Sequence, residues 1–342
     1  ASLPACQSVL AILSGSKSAA FSNHGTLLAL TLVQQLTTCG SNLPSLCVLT
    51  CGALVSNASD AIASDSAYGA AWGFTRVLRL EHPMLHTCSV DTRQQALTKA
   101  ILAPSEELEV RWFGSKRLVG RIRLCLSAPH CKVKIAPGLC LITGGLGGLG
   151  LLGAALMVES GVHRVLLASR NCRIARDGQG LGALLQRVGA VGTVVACDGA
   201  DHKSLSALFG VAAPSGVLHA AGSTSRVLLA DVEAHSVAWM HAAKAVCAWH
   251  LRCARATGPL EAHVLFSSIG AGLGLAGYFS YAAANACLDA QAMSLRGCGM
   301  ASRSVQWPLI YGAGMGAAAL AGLSEGQRTA ISGFLGISSN EY

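Results

Sequence analysis

A chain of 342 residues, 52% hydrophobic and only 12% charged, has ample material for a buried core and room for two ordinary domains or one large one. Its net charge of +8 is concentrated rather than spread, and aromatic residues make up only 5%, so the basic, aromatic-studded surface of a nucleic-acid binder is not expected. Ala136 to Val158 carries no charge and is long enough to span a bilayer, but its frequent glycines and bare flanks argue for a strand, a turn and a helix in series.

Residues 1–136 alternate helix-like and strand-like pieces without a glycine-rich phosphate turn. The pattern predicts a helix over Thr26 to Leu36, a short buried strand over Leu46 to Thr50, and a second helix over Ala70 to Leu80. Val110 to Trp112 and Arg117 to Leu126 predict a hairpin turning at Gly114. Arg111, Lys116, Arg117, Arg121, Arg123, Lys132 and Lys134 follow one another with no acidic residue between. Because Val119, Ile122 and Leu124 interleave with them, the run reads as the solvated face of a strand pair; a docking surface for an acidic partner is the alternative. This half resembles a nucleotide-binding α/β fold that has lost its ligand chemistry, and Pro137-Gly138 marks the expected junction.

From Leu139 onward the rhythm is strand, helix, strand. Strands are expected at Cys140–Ile142, Val165–Ala168, Thr193–Ala196, Val217–His219, His263–Phe266 and Ser304–Gln306. Helices are expected around Gly180–Val188, Lys203–Phe209, Ala234–Ala256 and Ala282–Arg296. Six short runs of this kind imply a doubly wound parallel sheet with ligands at the carboxyl ends of its strands.

The first of these strands runs into Thr143, Gly144, Gly145, Leu146, Gly147, Gly148, Leu149 and Gly150, where Gly145, Gly147 and Gly150 have G-x-G-x-x-G spacing. In that context the first glycine is expected to turn tightly with positive φ, the second to let a pyrophosphate approach the backbone, and the third to pack helix against strand. The helix N-terminus then offers N–H groups and a partial positive charge to phosphate. The next strand ends in Ser169-Arg170, where an acidic residue would suit the ribose of NAD and an Arg suits the 2′-phosphate of NADP. Asp198 is placed to accept from the adenine amino group or to cap the following helix.

Tyr281 and Asn285, four residues apart, share one face of a helix. Ser268 lies just past the strand before them, and Lys244 lies in the preceding helix. Together at the carboxyl edge of a dinucleotide fold these four form a carbonyl-reducing set.

On these residues the chain resembles a ketoreductase domain of a modular polyketide synthase, within the short-chain dehydrogenase/reductase superfamily. The matching motifs are Thr143 to Gly150, Ser169-Arg170, Cys197-Asp198, His219-Ala220-Ala221-Gly222, Phe266-Ser267-Ser268 and Tyr281 to Ala286. Ala71 to Arg76, Leu80 to Pro83 and Arg111 to Arg117 are similar to the structural subdomain of those enzymes, so the likeness covers almost the whole chain. It implies a Rossmann-type catalytic subdomain over 137–342 and a truncated Rossmann-like structural subdomain over 1–136. It implies an NADPH-dependent reduction of the β-keto group of a chain carried on the phosphopantetheine arm of an acyl carrier protein, with neighbouring synthase domains as further partners. Tyr281 would donate the proton, Ser268 would hydrogen-bond the carbonyl oxygen, and Lys244 would hold the nicotinamide ribose. Asn285 would keep Lys244 or a relay water in position, and Gly222, after Ala220 and Ala221, would let the backbone pass close to the cofactor. A catalytically silent assembly domain and a stand-alone reductase of small ketones are the alternatives; the intact Lys-Ser-Tyr-Asn set argues against the first and the degenerate first half against the second.

The likeness has gaps. Thr224-Ser225-Arg226 stands where many of these domains carry Leu-Asp-Asp, and Leu273 where others carry a Trp, so neither marker of hydroxyl configuration is present. Trp307-Pro308-Leu309-Ile310 replaces the usual Trp-Gly-Pro-Trp, and a lid segment would fall near Gly312 to Gly333. Fourteen cysteines, several in apolar runs (Cys125, Cys140, Cys247, Cys287) and none in C-x-x-C pairs, suit buried thiols in a reducing cytoplasm better than zinc or a disulfide framework. With no N-terminal signal and no initial Met, the chain reads as a piece of a longer protein.

Overall fold

The computed structural model describes residues 8–13, 23–38, 43–55, 66–92, 106–124, 138–176, 179–254, 260–312, 314–320 and 337–338. Packing divides the chain into two compact units. One comprises Ala1–His130, Ser225–His241 and Gly270–Met300; the other comprises Cys131–Thr224, Ala242–Ile269 and Ala301–Tyr342. The two large sheets lie on either side of the expected division at 136/137, but the packing units break at 130/131, and the first also takes in 225–241 and 270–300, which that division placed in the second part.

In chain order the elements are β1 (Ser8–Leu13), α1 (His24–Thr37), β2 (Ser45–Thr50), α2 (Tyr68–Glu81), β3 (Thr87–Thr92), β4 (Glu109–Phe113), β5 (Lys116–Val119), β6 (Leu139–Thr143), α3 (Gly148–Glu159), β7 (Arg164–Ser169), α4 (Leu181–Val188), β8 (Gly192–Ala196), α5 (His202–Ala212) and β9 (Gly216–His219). Then come α6 (Ala234–His241), a π turn (Ala242–Val246), α7 (Cys247–Ala254), β10 (Ala262–Ser268), α8 (Ile269–Leu273), α9 (Phe279–Gly297), β11 (Ser302–Trp307), β12 (Ile310–Tyr311), α10 (Gly314–Leu320) and β13 (Ile337–Ser338).

In the first unit the sheet order is β1-β2-β3-β4-β5, parallel except for the β4–β5 hairpin. The hairpin turns at Gly114, whose φ of 57° needs a residue without Cβ strain. Its second strand ends at Val119, paired with Val110, and not at Leu126 as expected; residues 120–124 carry no regular structure and 125–126 lie outside the described residues. The basic run is also divided. Lys116, Arg117, Arg121 and Arg123 are exposed, whereas Arg111 is buried with its guanidinium 3.8 Å from Asp91; Lys132 and Lys134 lie outside the described residues.

The loop after β2 accounts for the missing phosphate chemistry of this half. The N–H groups of Gly52, Ala53 and Leu54 donate to the carboxylate of Asp91 at 2.9, 2.9 and 3.3 Å, and the Thr50 hydroxyl lies 2.8 Å from it. A side chain of the protein thus fills the anion cradle that a ligand phosphate fills elsewhere. Burial outweighs the Ala53, Thr50 and Leu54 donors and the Arg111 charge and holds the Asp91 carboxyl above its ordinary value.

Helix α2 is buried along nearly its whole length and ends where Pro83 disfavours helical geometry at His82. It packs on α9 through two glycines. A Cβ on Gly69 would stand 2.4 Å from the Ala286 carbonyl oxygen, and one on Gly73 would stand 2.6 Å from that of Ala282. Phe74 meets Phe279 edge-to-face at 5.2 Å.

In the second unit the order β11-β10-β9-β6-β7-β8 is wholly parallel. All six expected strands are present. Successive residues of β6 face opposite layers: Ile142 packs with Leu151, Ala154, Leu181 and Val188 of α3 and α4, and Leu141 packs with Leu205, Phe209, Cys247 and Leu251 of α5 and α7. The sheet is therefore covered on both sides, as a doubly wound fold requires. Cys140 and Cys247 are buried here and Cys287 in the first unit, as expected for thiols in apolar runs; Cys125 lies outside the described residues. Among the described residues no helix is long and apolar enough to cross a membrane, and no cluster of metal-ligating side chains occurs.

Candidate functional site

Strands β6 and β9 diverge in their connections at the centre of the second sheet, and the glycine turn follows β6 at this switch point. The positive φ falls on Gly144, at 68°, not on Gly145 as expected. Gly144 must bend the chain away while its Cα lies against the next strand's exit: a Cβ there would stand 2.6 Å from the Ala221 Cα. Gly145 instead lies over β7, where a Cβ would meet the Leu167 Cα at 2.7 Å, and its N–H donates to the Ala168 carbonyl. Gly150 fulfils the packing role, since a Cβ there would reach 2.3 Å from the Gly144 carbonyl oxygen. Gly147 caps α3 in an extended conformation with no side-chain cap, and Gly148, Leu149 and Gly150 form the first turn. Leu146 is buried beneath it.

Ser169 closes β7, and Arg170 is exposed immediately beyond it. Asp198 is exposed and receives the Ala200 N–H at 3.0 Å, while Asp201 caps α5 by accepting from Lys203 and Ser204. The helix-capping alternative for Asp198 is thereby excluded. Thr143, included with the cofactor residues from its motif, is buried, and its hydroxyl lies 2.7 Å from Nδ1 of His219. Ala220 and Ala221 pass directly against Gly144.

Lys244 sits in the π turn and is 3% exposed. Its Nζ donates to the Phe266 carbonyl at 3.0 Å, two residues before Ser268 at the end of β10. A Cβ on Gly222 would stand 2.8 Å from the Lys244 Cε, so this glycine makes room for the lysine side chain. The second unit thus gathers the glycine turn, Arg170, Gly222, Lys244 and Ser268 along the carboxyl edge of one sheet. Sequence reasoning did not single out His219 or the Phe266 carbonyl as partners in this cluster; a histidine ending an apolar strand was the available signal.

Tyr281 and Asn285 lie on α9, in the first unit. Tyr281 is half-buried, and Asn285 is fully buried with its Nδ2 donating to the Tyr281 carbonyl at 2.9 Å. The loop ahead of α9 is gripped by α2. Arg76 donates to the Ala271 carbonyl at 2.6 Å, and Glu81 accepts from the N–H groups of Gly277 and Leu229 at 2.7 Å each. Arg76 is itself held by Glu109, together with Arg79. Burial acts to raise the Glu109 carboxyl, but the two guanidiniums outweigh it and hold it below its ordinary value.

The sequence profile of the KR domain matches residues 138–312, just over half of the chain. The chain belongs to the ketoreductase domain family. Over 300 residues it is 34% identical to the polyketide synthase GfsA of Streptomyces halstedii, a match covering 83% of this chain and 4% of that protein. Over 324 residues it is 33% identical to GfsB of the same organism, covering 88% of this chain and 6% of GfsB. A solved A1-type ketoreductase superposes with a TM-score of 0.81 at 30% identity, covering 92% of this chain and 68% of that one. The ketoreductase therefore groups with the domains of modular polyketide synthases and has their Rossmann-type reductase fold. It spans only a few per cent of the length of the curated relatives it matches.

Proposed function

We propose that this ketoreductase domain reduces the β-keto group of a polyketide chain, held as a thioester on the phosphopantetheine arm of an acyl carrier protein, with NADPH. The observation that carries the reading is the buried Lys244 ammonium held on the Phe266 carbonyl at the same sheet edge as a glycine-lined helix start whose N-cap, Gly147, brings no side chain. Those residues fit a dinucleotide: Gly144, Gly147 and Gly148 bring no side chain to the turn, Leu146 is buried, and Arg170 offers an exposed guanidinium for a 2′-phosphate. Bound NADPH supplies the hydride that reduces the carbonyl carbon. Lys244 holds the ribose hydroxyls. Ser268 donates a hydrogen bond to the substrate oxygen, and Tyr281 delivers a proton to it as negative charge builds. Asn285 ties its side chain to the backbone of Tyr281 and steadies that residue. We read 137–342 as the catalytic part and 1–136 as structural, in a cytoplasmic synthase whose other domains supply and remove the thioester.

The deciding assay is NADPH oxidation with a β-ketoacyl thioester mimic. Saturable turnover is expected. Tight NADPH binding without turnover across a range of mimics would replace the reductase by an assembly domain. In the same assay Arg170→Asp should weaken NADPH roughly 10- to 100-fold, the value of a charged hydrogen bond to phosphate, and leave NADH nearly unchanged. Equal loss with both cofactors rules out the 2′-phosphate role.

A further inference from the structure

A side chain from the central strand β9 reaches the backbone of the π turn that carries Lys244. His219, with 0% exposure, ends β9 beside Thr143 of β6, its register partner. Its Nδ1 lies 2.7 Å from the Thr143 hydroxyl and its Nε2 lies 3.1 Å from the carbonyl oxygen of Lys244. Burial and then the Lys244 charge lower its pKa to about 3, so the ring is neutral at any working pH and carries one N–H. A carbonyl can only accept, so Nε2 is the donor and Nδ1 accepts from Thr143. The tautomer is thus set by the Lys244 carbonyl, and Nδ1 is left to accept from Thr143 at the foot of the glycine turn, with the Cys247 thiol 3.7 Å away. An extra residue in one turn rotates every later side chain by about 100°, so the backbone at Lys244 needs an anchor that the helix pattern alone does not supply.

We propose that His219 is the positioning residue for Lys244: held in place by the Thr143 hydroxyl, its ring donates to the Lys244 carbonyl and thereby keeps the ammonium on Phe266, over Gly222. This rests on the role given above to Lys244 in holding the nicotinamide ribose. Two ligands separate that role from general damage. NADPH engages Lys244, whereas adenosine 2′,5′-bisphosphate lacks the nicotinamide half and reports only the glycine turn and Arg170. Asn at position 219 can still meet Thr143 but stops short of the Lys244 carbonyl; Gln places an N–H donor near the Nε2 position.

The test is equilibrium binding of both ligands by His219→Asn, His219→Gln, Lys244→Ala and the Asn/Ala double variant. His219→Asn should weaken NADPH about tenfold, the value of one buried hydrogen bond, with the bisphosphate changed less than about twofold. His219→Gln should recover most of the loss. Adding His219→Asn to Lys244→Ala should cost nothing more. Equal behaviour of Asn and Gln, or parallel loss of both ligands, overturns the proposal while leaving Lys244 in its role. An unchanged NADPH affinity in Lys244→Ala overturns that role and this proposal with it. Should His219→Asn fail to fold, Thr143→Val removes the hydroxyl and keeps the shape. It should weaken NADPH alone, roughly threefold, and loss of both ligands there again overturns the proposal.

Discussion

Tyr281→Phe is expected to lower reduction of a β-ketoacyl thioester by about 10²- to 10⁴-fold, the usual contribution of a positioned general acid, while NADPH affinity changes less than about threefold. The substitution removes one oxygen and leaves the ring. Tyr281 is only half-buried, and the helix that carries it is held by contacts of its neighbours, Ala282, Ala283 and Ala286. Single-turnover NADPH oxidation separates the proton transfer from product release, and fluorescence titration reads the cofactor. Turnover within tenfold of the parent would mean that another group gives the proton, and that Tyr281 serves packing alone.

The second large effect is expected where α2 packs on α9. Gly73→Ala in α2 places a methyl 2.6 Å from the Ala282 carbonyl oxygen, 2.8 Å from its carbon and 2.9 Å from the Ala283 Cα. All three are backbone atoms, and no rotamer change relieves them. Helix α9 must move or α2 must withdraw, at about 1–3 kcal/mol, a typical cost of overpacking a well-filled core. Because Ala282 adjoins Tyr281, the folded fraction should also lose reductase activity. Gly182→Ala in α4 is the control, since a Cβ there meets nothing within 4 Å. Alanine's better helix propensity should leave that variant as stable as the parent or slightly more so. Thermal melts and NADPH oxidation on both variants check the pair. Matching melts would show that the α2–α9 contact is slacker than its geometry implies.

Much of the second sheet was legible because most of its strands, though not the polar β11, are short apolar runs bounded by glycine or polar residues, and the glycine turn lies between a strand and a helix. The polar strand β3, Thr-Cys-Ser-Val-Asp-Thr, had no such signature. It is nonetheless buried, because Ser89 pairs with Thr75 at 2.7 Å and Asp91 with the β2 loop. The stretch 234–256 read as one helix, since hydrophobic periodicity does not register a single inserted residue; the π turn at Ala242–Val246 interrupts it. Its last residues, like most of the expected lid, lie outside the described residues.

The order and spacing of residues were sufficient to determine the doubly wound sheet, the glycine turn, and the identities of Lys244, Ser268, Tyr281 and Asn285 as candidates, because periodicity and local turn chemistry are properties of neighbours along the chain. Tertiary structure alone decided that Gly144 and not Gly145 takes the left-handed bend, that Asp91 occupies the first half's anion cradle, that two glycines of α2 seat the helix bearing Tyr281, and that His219 joins Thr143 to Lys244. Each of these depends on which distant backbone atom lies within about 3 Å, a distance that sequence separation does not encode.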